Sequence, residues 1–107
     1  MDFKGFLRLI DRWKAFHDLP FPTEWARNVD GIGLASLSLE ADKWFEQLMN
    51  HIVPGGIVVG LQSVVEKCEL VLPALSGEAL AYFREVHFIA IESLTFLRRI
   101  RPAEFSQ

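Results

Sequence analysis

Four stretches of this sequence repeat apolar residues at three- and four-residue intervals, and prolines stand between them. A proline cannot continue a helix, and it pushes the residue before it out of the helical region. Pro20 with Pro22, then Pro54, then Pro73, therefore divide the chain into four segments of helical period. No long segment alternates with the period of two that a half-buried strand requires.

In the first segment, residues 2–18, Phe3, Phe6, Leu7, Ile10, Trp13 and His17 fall on one side, while Lys4, Arg8, Asp11 and Arg12 fall on the other. Thr23 is placed to cap a short helical turn over TEWARN, with Glu24 in its first turn. Asp30-Gly31-Ile32-Gly33 reads as a loop, and Ser36 or Ser38 as the cap of the next helix. That helix puts Leu37, Ala41, Trp44, Phe45, Leu48 and Ile52 on its apolar face and ends near Val53-Pro54-Gly55. In the third segment Ile57, Leu61, Val64, Val65, Cys68, Val71 and Leu72 face one way and Gln62, Glu66 and Glu69 the other. Ser76 caps a last helix over roughly residues 77–100, with Glu78 in its first turn and Arg98, Arg99 and Arg101 near its C-terminus, where cations suit the helix dipole. The expected fold is all-α: a compact bundle of four main helices plus one short helix, with short loops and no sheet, over residues 1–107 as a single domain.

HIVPGGIVVG at residues 51–60 tests that reading, because its glycines suggest a phosphate loop. A Walker loop needs a lysine and a hydroxyl residue directly after its last glycine, whereas Leu61 and Gln62 follow Gly60. The spacing does not match G-x-G-x-x-G either, and a lone Ile57-Val58-Val59 strand has no partner. Pro54-Gly55-Gly56 is read as a turn, with Gly56 and Gly60 leaving a smooth patch for a neighbouring helix.

Chemistry is sparse. The one cysteine, Cys68, sits among valines and leucines and reads as a buried thiol in a reducing compartment. No histidine or cysteine pair has metal-ligand spacing, so neither a metal nor a cofactor is implied. His87 falls among Leu80, Phe83, Ile91 and Leu94 and reads as a packing histidine facing the core. If it lay beside Cys68 the two would frame a small-ligand pocket, which is the alternative reading of a self-associating enzyme or regulator. The residues lean away from an enzyme, since no carboxylate pair or nucleophile with its base stands out.

Surface features carry the rest. The formal net charge is −3, and residues 28–78 hold two basic against seven acidic residues. Lys4, Arg8 and Arg12 make too thin a basic stripe for nucleic acid, which ranks last among the function classes. No 18-residue apolar run spans a membrane and the charged N-terminus is no signal peptide, so a cytoplasmic location is expected. On the last helix Phe88 and Phe96, with Glu85, Glu92 and Arg99, fall within one sector opposite Leu80, Phe83, Val86, Ala90, Leu94 and Leu97. Aromatics rimmed by charge suit a protein interface, so these five form the expected binding face. Asp42 with Glu46, and Glu66 with Glu69, form a secondary acidic face.

In size, acidity, helical class and lack of catalytic motifs the chain resembles the small immunity proteins and antitoxins of bacteria, which neutralise a partner protein. The likeness is one of type and transfers no functional positions. It implies a protein partner, possibly basic, whose encounter an acidic surface would speed. A homo-oligomer is the competing expectation among binding modules.

Overall fold

The computed structural model describes residues 3–23 and 26–105, with the side chain of Phe3 outside that description. Four helices dominate: α1 (Phe3–His17), α2 (Leu34–Met49), α3 (Ile57–Val71) and α4 (Gly77–Ile100). Short 3₁₀ turns follow α3 at Leu72–Ala74 and α4 at Pro102–Phe105. Of the short helical turn expected over TEWARN, Glu24 and Trp25 lie outside the described residues, and the rest is not helical: Thr23 and Ala26 are in turns, Arg27 is irregular and Asn28 is extended.

The expectation of no sheet is corrected. Asn28–Val29 (β1) pairs antiparallel with Ile32–Gly33 (β2), in the register Asn28↔Gly33 and Val29↔Ile32. Asp30 and Gly31 between them take φ of 50° and 79°. Asp-Gly with two positive φ values is the preferred two-residue hairpin connection, because its twist matches that of the strands. The hairpin runs directly into α2, whose cap is Gly33 rather than Ser36 or Ser38. Ser38 instead hydrogen-bonds the Tyr82 hydroxyl of α4 at 2.8 Å.

α2 ends at Met49, earlier than its apolar pattern suggests, and leaves Ile52 exposed. The His51 N–H donates to Leu48 O at 3.0 Å and the Ile52 N–H to Gln47 O at 2.8 Å. These are the two bonds of a Schellman terminator, with His51 in the left-handed position at φ 63° where glycine is usual. The Asn50 side chain adds a bond from Nδ2 to Glu46 O at 2.8 Å.

The core lies around α4, which packs most extensively on α3 and also on α1 and α2. Phe83, Val86, Ile89, Ala90, Ser93 and Leu97 of α4 are wholly buried. α3 contributes Ile57, Leu61, Val64, Cys68 and Val71, and α2 contributes Leu34, Leu37, Ala41, Phe45 and Leu48. In α1 the buried residues are Phe6, Leu9 and Phe16, so the inward face is turned from the expected one; Leu7 and His17 point outward. α1 runs antiparallel to α4, as Phe6 stacks on Phe96 at 4.4 Å and Phe16 meets Tyr82 at 4.8 Å. Polar side-chain contacts add ties between helices, among them the ion pairs Lys67–Glu40 at 2.8 Å and Arg12–Glu85 and the contacts His17–Asp42 at 3.4 Å and His87–Glu69 at 3.2 Å.

Candidate functional site

α4 is long enough for both flanks of its solvent side to meet a neighbour. On the α1 flank, Arg12 binds both carboxylate oxygens of Glu85, with Nη2–Oε2 at 3.1 Å. The same guanidinium lies 3.7 Å above the centre of the Phe88 ring. This bond to Glu85 holds Arg12 charged, above even its ordinary range.

The five residues of the expected binding face therefore divide. Phe88 is 39% exposed beneath Arg12, and Glu92 and Arg99 are exposed. Phe96 is half-buried against Phe6, and Glu85 is held by Arg12. Sequence spacing placed all five in one sector, and they share one, but α1 lies along its edge. Gly5, Phe6 and Leu9 of α1, with Glu92, Phe96 and Arg99, line a recess of about 80 Å³ there.

A larger groove of about 600 Å³ opens at the other end of the α1–α4 contact. Arg12, Ala15 and Phe16 of α1 form one wall, and Glu78, Ala81, Tyr82 and Glu85 of α4 the other. Leu19, Pro20 and Pro22 close the end where the chain leaves α1. Phe16 and Tyr82, 4.8 Å apart, are its aromatic lining, and Tyr82 in turn meets Phe21 edge-on at 5.1 Å. Burial holds the Tyr82 hydroxyl above its ordinary pKa, partly offset by the bond to Ser38, so it stays a neutral donor and acceptor. Arg12 neutralises Glu85, leaving Glu78 as the net charge on the groove's rim. Apolar walls with a few polar groups at the edge are the usual make-up of a binding cleft, and this volume lies in the usual range.

The groove was not legible in the sequence as a site. Its walls are residues 12–22 and 78–85, and no local pattern says that these two segments meet. The one hint was Leu19-Pro20-Phe21-Pro22, an apolar stretch whose two prolines keep it rigid and non-helical.

The secondary acidic face is partly spent on packing. α2 and α3 are neighbours, but Asp42 faces His17, and Glu69 lies 3.2 Å from Nε2 of His87. Glu46 and Glu66 remain exposed. The expectation that His87 faces the core is corrected: it sits half-buried at the α3–α4 boundary, where Glu69 offers it a hydrogen-bond partner. Cys68 is wholly buried, and burial, then Glu69 and Glu40, push its thiol up to about 12. A thiol held neutral in this way is a poor nucleophile. Neither Cys68 nor His87 lines the groove.

Among the described residues no three His, Cys, Asp or Glu side chains gather as a metal site, and no helix is long and apolar enough to cross a membrane. No protein-family model matches the chain, and neither do the curated proteins or the solved structures compared with it.

Proposed function

We propose that this chain acts by binding another protein, as a small cytoplasmic inhibitor of the immunity or antitoxin type, and that the α1–α4 groove takes an anchor from that partner. The groove itself supports the reading: an apolar trough of about 600 Å³, carrying one uncompensated carboxylate, on a helical scaffold. An aliphatic or aromatic side chain enters between Ala15, Leu19 and Ala81, and a lysine or arginine beside it meets Glu78. Desolvating such an anchor supplies affinity, and the acidic rim and net charge of −3 favour a basic partner.

The test uses an amphipathic peptide of leucine and lysine as probe, followed by amide chemical shifts. Shifts centred on Ala15, Leu19, Ala81 and Tyr82, lost in Ala15→Lys and kept in Glu46→Lys, support the groove. Shifts confined to the α2–α3 acidic face, or none, refute it. The inhibitor class is tested by co-purification with the product of the adjacent gene: a basic enzyme released by Ala15→Lys supports it, and a metabolic enzyme that ignores that variant refutes it.

A further inference from the structure

α4 carries a second periodic face. Ala81, Arg84, Phe88, Ile91, Thr95 and Arg98 alternate steps of three and four residues, and all six are exposed. Ala79, Val86 and Ser93, which repeat every seven residues on the far side, are at most 1% exposed. A row at this spacing packs one helix along another where its residues are apolar; here Ala81, Phe88 and Ile91 are apolar and Arg84, Thr95 and Arg98 are polar. Phe88 and Ile91 form its apolar middle, each 39% exposed, with the guanidinium of Arg12 from α1 covering one face of the Phe88 ring.

The charges along α4 select the occupant. Arg84 and Glu92 stand four residues either side of Phe88. At about 100° per residue, Arg84 and Glu92 lie about 40° to left and right of the Phe88 ring. The two are opposite in sign. Among the described residues neither Arg84 nor Glu92 makes a hydrogen bond or a close ion pair, although Glu92 lies in the field of Arg12. When an identical helix lies antiparallel with Phe88 against Phe88, Arg84 comes level with Glu92 of the other copy, twice by symmetry. A parallel copy would instead set Arg84 against Arg84 and Glu92 against Glu92, which repel. Such self-complementarity about a two-fold axis is what an isologous interface requires.

We propose that the outward face of α4 is the seam of an antiparallel homodimer with Phe88 on its two-fold axis. This does not depend on the groove reading, since it rests on a different face and a different occupant. The two surfaces adjoin at Ala81, so the dimer narrows access to the groove.

Sedimentation equilibrium of the full chain, from micromolar to millimolar concentration, tests the seam. The unaltered protein should dimerise reversibly. Arg84→Glu alone and Glu92→Arg alone should each weaken dimerisation about tenfold or more, because each turns both pairs into like charges. Mixing those two single variants should restore a dimer, now of one copy of each, and the double variant Arg84→Glu/Glu92→Arg should dimerise like the unaltered chain. Phe88→Ser should weaken every pairing while the circular dichroism stays helical. A monomer throughout the range overturns the proposal. So does a mixture, or a double variant, that associates no better than the single variants.

Discussion

The indole of Trp44 on α2 occupies the space that a β-carbon on Gly60 of α3 would need. Sequence spacing marks Gly56 and Gly60 as a pair that smooths the start of α3, yet they do different jobs. Gly56 has open space around it and takes φ 89° to start the helix. Gly60 is an ordinary helical residue whose missing side chain lets the ring of Trp44 lie against the backbone.

Gly60→Ala should therefore destabilise the protein by about 1–3 kcal/mol, because overpacking outweighs the ~1 kcal/mol that alanine gains in a helix. Urea unfolding measures it. In a Trp44→Leu background the same change should cost much less, and an equal cost there would mean that the indole is not what alanine meets.

A second prediction concerns the end of α2. His51 holds a left-handed conformation that costs a non-glycine residue roughly 1 kcal/mol, while its ring contributes a contact with Phe6 at 5.7 Å. The ring is exposed and the contact tilted, so relief of strain should win. His51→Gly should leave stability unchanged or raise it by up to about 1 kcal/mol, whereas His51→Val, β-branched and still left-handed, should lower it. Thermal melts of the two variants should move apart in that order.

How much of this was legible beforehand follows from the range of each interaction. α1, α3 and α4 begin and end near where their apolar spacing and prolines place them, because those signals act within a few residues. The hairpin was present in the sequence as Asp30-Gly31, but strands of two residues show no alternation, so the turn passed for a loop. The end of α2 was overrun because Ile52 continues the apolar period, while the left-handed His51 that stops it has no distinctive sequence mark. The site depends on which helices become neighbours. Phe96 looked spare on a helical wheel because its partner, Phe6, lies ninety residues away; Glu85 looked free because Arg12 lies on another helix. The sector was readable, and the helix lying along its edge was not.

Cys68 sets a pH dependence. Its thiol is ordinarily at 9.0 and burial pushes it up to about 12, so the folded state holds the proton that the unfolded state releases first. A pKa raised on folding stabilises fully below the unfolded value and is lost as pH climbs toward the folded one. Stability should thus decline between about pH 9 and pH 12, with a ceiling on the order of 4 kcal/mol from this group. The buried Tyr82 shifts in the same direction and adds to the decline. Cys68→Ala should flatten the alkaline limb without removing it, at some cost in packing at neutral pH. An unchanged pH profile would mean that the thiol ionises outside the core.

Phe88 and Phe96 supply the last prediction, because α1 gives them different work. Phe96 is half-buried and stacked on Phe6 at 4.4 Å, so Phe96→Ser removes part of the α1–α4 contact and places a hydroxyl in an apolar joint. Its cost should be about 2–4 kcal/mol, at the lower end for a ring not wholly enclosed. Phe88 is 39% exposed, and its packing on α1 includes the guanidinium of Arg12, which keeps its bonds to Glu85 when the ring is gone. Phe88→Ser should cost about 1 kcal/mol or less, the worth of one exposed cation–π contact and a partly covered ring. Chemical denaturation of both variants at low concentration, where dimers do not contribute, gives the comparison directly. Equal and large losses would place Phe88 in the fold as firmly as Phe96 and remove it from any binding surface. A loss confined to Phe96→Ser leaves Phe88 as an aromatic ring that folding does not require, which is the condition the seam on α4 demands.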